Sequence, residues 1–149
     1  MRERPSAVDV KVMEPEAYFE MVDGILAEGK EVKMTPKGNS MLPFIKGGRD
    51  SVVLVRPTKD FEVGDIVLAK VGNRFIMHRV FAVEGENLTL MGDGNICGTE
   101  HCSSDDVIAL VTEIHKENGK KVIPGKAAFW RRIRPLRRYI LAIYKRVIL

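Results

Sequence analysis

Between residues 31 and 115 the chain repeats one pattern: a short run of alternating, often β-branched residues, then a break built from glycine, asparagine or aspartate. The runs are Glu31 to Thr35, Ser51 to Arg56, Asp65 to Lys70, Arg74 to Val83, Asn87 to Met91 and Val107 to His115. A period of two sends successive side chains to opposite faces, and branched residues suit a pleated, half-buried surface. The breaks Gly47-Gly48-Arg49-Asp50, Gly72-Asn73, Gly85-Glu86-Asn87, Gly92-Asp93-Gly94-Asn95 and Asn118-Gly119 carry turn chemistry. Short strands at this spacing predict a mainly β fold, a coiled antiparallel sheet or partial barrel rather than a parallel α/β sheet.

Helical periodicity flanks this β region. Pro15 to Glu28 predicts an N-terminal helix, with Pro15 in its first turn, Tyr18, Met21, Val22, Ile25 and Leu26 at helical spacing, and Gly29 as its stop. After Pro124-Gly125, the residues Phe129, Ile133, Leu136, Ile140, Ile143 and Val147 form a second stripe, with a kink expected at Pro135. The expected organisation is a leader and helix over 1–30, a β domain over 31–123 and a basic amphipathic helical tail over 124–149.

The tail is a separate electrostatic object. Residues 1–119 hold 14 Lys and Arg against all 20 Asp and Glu, whereas residues 120–149 hold 10 Lys and Arg and no acid. A basic amphipathic segment with aromatic residues suits an anionic membrane surface, with Trp130, Arg131, Arg134 and Arg138 as the expected contacts. The competing reading is a helix that docks on its own domain or on a partner. Nucleic acid is the weaker alternative, because no base-reading motif accompanies the charge. The N-terminus MRERPSAVDVKVMEPE lacks the apolar run of a signal peptide and no stretch is long enough to span a bilayer. A cytoplasmic location, peripheral at the inner membrane face, is therefore expected.

The candidate chemical groups are few. Of three histidines, His78 lies in a strand where alternation puts it beside Ile76 and Val80 and opposite Phe75, Met77 and Arg79. Alternation alone reads it as a structural histidine, and reads Ser40, in the turn Gly38-Asn39-Ser40, as a capping hydroxyl. Cys97, His101 and Cys102 are compact, but no second ligand pair follows them, and the expectation is no metal and no cofactor. Whether Cys97 and Cys102 pair is open. Ser103-Ser104-Asp105-Asp106 reads as a solvated turn or strand lead-in.

Taken in order, GNSMLPFIKGGRDSVVLV, VGDIVLAK and FIMHRVFAVEGENLTLMGDGN carry a Ser-Met-x-Pro box at Ser40 to Pro43, a Gly-Asp pair at Gly64-Asp65, a His-Arg-Val strand at His78 to Val80 and a Gly-Asp-x-Asn turn at Gly92 to Asn95. Over residues 34 to 115 the chain thus resembles the superfamily of type I signal peptidases and LexA-like serine peptidases. Histidine where bacterial signal peptidases and LexA-type repressors have lysine is similar to the archaeal and endoplasmic-reticulum signal peptidases.

The resemblance implies a serine endopeptidase acting on peptide or protein substrates, including leader-like segments or the chain itself. Ser40 is then the nucleophile and His78 the general base, a role an imidazole suits because it accepts a proton near neutral pH. Lys70, on the Gly-Asp-Ile-Val strand, is not the base by this match. Asp93 is the expected orienting carboxylate, against a purely structural turn role for it, with Glu100, Asp105 or Asp106, or a serine-histidine dyad assisted by backbone or water, as alternatives, because Gly98 and Thr99 stand where the histidine-type family has an Asp-Asp pair. Gly38 stands where signal peptidases often have serine, so the oxyanion donors expected are the Ser40 N–H and the Asn39 side chain. Gly38, Asn39, Met41 and Pro43 are the expected oxyanion and substrate-binding positions, beside an extended peptide added as a strand. The alternative is a non-catalytic peptide-binding module on the same fold.

Overall fold

The computed structural model describes residues 15–95, 98–127, 130, 132 and 136–147. Helix α1 (Pro15–Ala27) is followed by strands β1 (Val32–Met34), β2 (Ser51–Val55), β3 (Ile66–Val71), β4 (Arg74–Glu84), β5 (Asn87–Met91), β6 (Glu100–Ser103), β7 (Val107–His115) and β8 (Lys121–Val122), then helix α2 (Arg137–Val147). The strands form one curled antiparallel sheet in the order β1-β2-β7-β3-β4-β5-β6, with β8 paired to β7. Among the described residues the fold is mainly β, with α1 before the sheet and α2 after it, as the periodicity predicts.

The curl has local causes. Register shifts at Val53/Leu54, Leu68/Ala69 and Val80/Ala82 bend three of the ladders, because an extra residue on one strand increases its twist. Two-residue hairpins at Gly72-Asn73 and Gly85-Glu86 join β3 to β4 and β4 to β5, each opening on a glycine with φ of 59°. That positive φ matches the strand twist at a position where a side chain would be strained.

Each face of the sheet buries its own cluster. On one side α1 inserts Val22 and Leu26 against Val52, Leu54, Ile66, Leu68, Met77 and Val111, with Phe19 stacked on Phe75 at 4.3 Å between ring centroids. On the other, Val67, Ala69, Val80, Leu88, Leu90 and Val107 pack together. Two strands are absent from the sequence reading, β6 (Glu-His-Cys-Ser) and β8 (Lys-Val). Neither has an apolar alternation to reveal it, and both are held by the neighbour they pair with. The Ser103 to Asp106 stretch forms a single capped 3-10 turn.

The tail docks on the body, and by a different face from the one its stripe suggested. Trp130, expected at a membrane surface, is 7% exposed: its indole N–H donates to the Asp93 carbonyl at 2.8 Å and its ring meets Phe44 edge-on. Arg137, Leu141 and Tyr144 face Leu42, Phe44 and Trp130, while Leu136, Ile140, Ile143 and Val147 are exposed. Phe129, Arg131, Ile133, Arg134 and Pro135, with the kink expected there, lie outside the described residues, as do Cys97 and the leader before Pro15. Among the described residues no helix is long and apolar enough to cross a membrane.

A buried carboxylate fastens the loop between β1 and β2. Asp50 is 1% exposed and accepts from the Lys46 and Glu117 amides at 2.8 and 3.0 Å and from Lys116 Nζ at 2.6 Å. Lys116 also donates to the Phe44 carbonyl at 2.9 Å, which ties the end of β7 to the segment after Ser40. Burial opposes ionisation of Asp50, but Lys116 and the two amides together outweigh it, and the carboxyl is held below its ordinary value of 3.8. A depressed folded-state value contributes stability that is present above the unfolded value and lost as pH falls through the depressed one. Asp50→Asn is expected to cost about 1–3 kcal/mol at neutral pH. Thermal melts should show a lower Tm, and a shallower loss of stability than wild type as pH falls below 3.8.

Candidate active site

Three segments converge at one end of the sheet: the turn carrying Ser40, strand β4 and the turn after β5. Ser40 opens a tight turn in which Leu42 N–H donates to the Asn39 carbonyl at 3.2 Å, and Phe44 and Ile45 N–H to that of Met41 at 3.0 Å each. The Gly92-Asp93-Gly94-Asn95 turn lies directly on this segment, with the Gly94 N–H donating to the Ser40 carbonyl at 2.7 Å. Here glycine is required by contact. A Cβ on Gly92 would sit 2.3 Å from the Ser40 carbonyl oxygen and 3.1 Å from His78 Nε2, and one on Gly94 would sit 2.2 Å from the Asn39 carbonyl oxygen. The backbone of Gly92 is therefore the shared wall of Ser40 and His78.

His78 is 6% exposed and its Nδ1 lies 2.9 Å from a Glu100 carboxylate oxygen. A carboxylate only accepts, so Nδ1 is the donor in this contact, and Nε2 lies at the Gly92 backbone that also meets the Ser40 carbonyl. The register explains the pairing: Val80 lies opposite Leu90 and Leu90 opposite Glu100, so Glu100 shares a face with Val80 and, two residues back, with His78. The other two histidines are occupied elsewhere, His101 with Thr89 at 3.3 Å and His115 with Glu113 at 2.9 Å. Lys70 lies at the far end of β3, 3.8 Å from Glu16 and over the Phe75 ring.

Asp93 does not reach the imidazole. Its carboxylate is gripped by Arg79, Nε to Oδ1 at 2.8 Å and Nη2 to Oδ2 at 2.8 Å, and is 1% exposed. The expectation that Asp93 orients His78 is corrected here: Arg79 and His78 are adjacent in β4 and point to opposite faces, so a carboxylate held by one is turned from the other. Burial pushes the Asp93 carboxyl above its ordinary value, while Arg79, Arg137 and His78 pull against that rise. Asp105 and Asp106 sit in the exposed 3-10 turn, where Asp106 caps the Ser103 N–H.

The other expected site positions separate. Met41 is a core side chain, 5% exposed among Val22, Ile45 and Leu54, and is not available to substrate. Gly38, at φ 87°, and Asn39 are exposed at the rim, and a Cβ on Gly38 would meet nothing within 4 Å. Pro43 is half-buried, following a cis peptide bond. The Gly64-Asp65 pair is structural: Gly64 N–H donates to the Val80 carbonyl, Val80 N–H to that of Asp65, and the Gly64 carbonyl receives Arg79 Nη1.

With this geometry in place, the comparisons are specific. The family model described as Peptidase S24-like matches residues 7–114. No curated protein matches the chain. Spanning well over half of the sequence and the segments that form the Ser40, His78 and Gly92 cluster, the match places this chain among the S24-like peptidases, within the LexA and signal-peptidase-like serine peptidase superfamily.

Proposed function

We propose that the protein is a serine endopeptidase in which Ser40 is the nucleophile, His78 the general base and Glu100 the group that positions the imidazole. The observation that carries the reading is the 2.9 Å contact between His78 Nδ1 and Glu100, with Nε2 turned toward the Ser40 turn. In this reading Ser40 Oγ attacks the scissile carbonyl carbon as its proton passes to His78 Nε2. The negative oxygen of the tetrahedral intermediate faces the Ser40 N–H, with the Asn39 side chain as second donor. The imidazolium then gives its proton to the leaving amine, and water repeats the sequence on the acyl-enzyme. Glu100 supports the charge that forms on the ring and fixes which nitrogen carries the proton.

Glu100 also supplies a carboxylate near the positions where the family's acidic pair is missing, which supports the catalytic reading over a non-catalytic module. The family's acidic pair is Gly98-Thr99 here, and a carboxylate one residue further on stands against the imidazole. The open space at Gly38 is consistent with close approach of a substrate backbone at the rim of the turn.

Wild type incubated with a diverse peptide library and with its own chain is expected to yield cleavage products by mass spectrometry. Ser40→Ala and His78→Ala should each abolish them while retaining the wild-type circular dichroism spectrum. A serine-reactive fluorophosphonate should label Ser40 and no other serine; an unlabelled, inactive wild type would favour the binding module. Glu100→Gln is expected to lower kcat by about 10²–10⁴-fold with KM little changed, since it acts through His78 rather than on substrate. A fall in KM-related affinity with kcat intact would remove Glu100 from the mechanism.

A further inference from the structure

Helix α2 is satisfied on one face and bare on another. Arg137, Leu141 and Tyr144 meet the body, where Arg137 Nε donates to the Trp130 carbonyl at 3.2 Å and Leu141 is 2% exposed. At 3.6 residues per turn, Leu136, Ile140, Ile143 and Val147 align about a quarter-turn away. Their exposures are 54, 39, 64 and 76%, and Tyr139 beside them is 57% exposed. Four aliphatic side chains in one line on a surface helix form a contiguous apolar strip of the kind that marks an interaction site. The helix does not need this strip for its own docking.

The surroundings of the strip identify what it meets. Arg138, Lys145 and Arg146 are exposed on the same helix, and residues 120–149 contain 10 basic residues and no acid. Arg146 lies about a quarter-turn from the strip and Arg138 and Lys145 lie across the helix from it, so a partner must accept aliphatic side chains on one face and carry negative charge within reach of the other. Nucleic acid supplies the charge without an apolar layer. A second copy of this chain meeting it strip to strip supplies an apolar surface but no negative charge for the cations, because residues 120–149 hold no acid. An anionic lipid surface supplies both, its acyl boundary taking the side chains and its headgroups the cations. With 11 residues the helix is about half the thickness of a hydrocarbon core, so it lies along the surface.

We infer that α2 is an interfacial anchor that binds anionic bilayers through Leu136, Ile140, Ile143 and Val147, with Arg138, Lys145 and Arg146 at headgroup level. Because Leu141 of the same helix shares a buried cluster with Leu42, two residues past Ser40, the anchor is joined to the turn that carries Ser40. Binding itself requires no turnover, so its test is independent of the peptidase reading.

The full chain is sedimented with vesicles of phosphatidylcholine containing phosphatidylglycerol, and with vesicles of phosphatidylcholine alone. The expected result is partition onto the anionic vesicles, weakened by salt and by Lys145→Gln/Arg146→Gln. The neutral pair Ile143→Ser/Val147→Ser should reduce partition at least about tenfold, the loss expected for two isoleucine-sized side chains, with Tm unchanged because both positions are exposed. Absence of wild-type partition would overturn the proposal, as would equal partition of wild type and the serine pair. Concentration-dependent dimerisation abolished by the serine pair, without vesicle binding, would also overturn it and assign the strip to a second copy.

Discussion

The guanidinium of Arg79 is the tie on which the site depends. It donates to both oxygens of Asp93, to the Gly64 carbonyl at 2.8 Å and to the Gly125 carbonyl at 2.7 Å, and it lies 5.1 Å from the centre of the Phe44 ring. A buried cation costs several kcal/mol unless its donors are paired, and here four of the five N–H groups of a planar fork have partners in fixed directions. One side chain from β4 thereby fixes the turn before β3, the turn after β5 and the start of the tail. Of these, the Gly92 to Asn95 turn forms the wall between Ser40 and His78, so the geometry of the candidate site follows from this ion pair.

Adjacent residues in β4 divide the two tasks. Arg79 faces the structural carboxylate Asp93, and His78 faces Glu100 on the opposite side of the strand. The separation keeps the strongly held ion pair from competing for the imidazole. It also leaves His78 with a partner that is itself largely buried, at 16% side-chain exposure, where a charge-assisted hydrogen bond is less screened than at the surface.

The tail completes this arrangement from outside the family match. Trp130 caps the Asp93 carbonyl, Arg137 lies over the Trp130 ring and reaches Met91 Sδ at 3.6 Å, and Lys126 pairs with Asp65 and Glu62 beside the Gly64 turn. Each of these contacts falls on or next to one of the recognised motifs. Positive charge that composition presents as a single basic block is thus divided: Lys126 and Arg137 serve the body, and Arg138, Lys145 and Arg146 remain at the surface.

The sequence alone determined the β architecture and the N-terminal helix, because alternation and glycine-bearing turns are properties of neighbours in the chain; Ser40 and His78 stood out only through the resemblance their ordered motifs carry. Glu100 was legible only as one of several acids, and Asp93 stood ahead of it because it lies in the recognised turn. Which carboxylate meets the imidazole is set by the register of β5 on β6, a strand whose Glu-His-Cys-Ser sequence carries no periodic signal. The docked face of α2 was hidden for the same reason. Helical spacing identified the strip from Leu136 to Val147, but burial of Arg137 requires Met91 to be brought to it from 46 positions away, beside Trp130. Local pattern specifies elements and the pairing of elements specifies partners, so the candidate nucleophile and base were marked by the resemblance of their motifs, and the groups that hold them in place were decided by the fold.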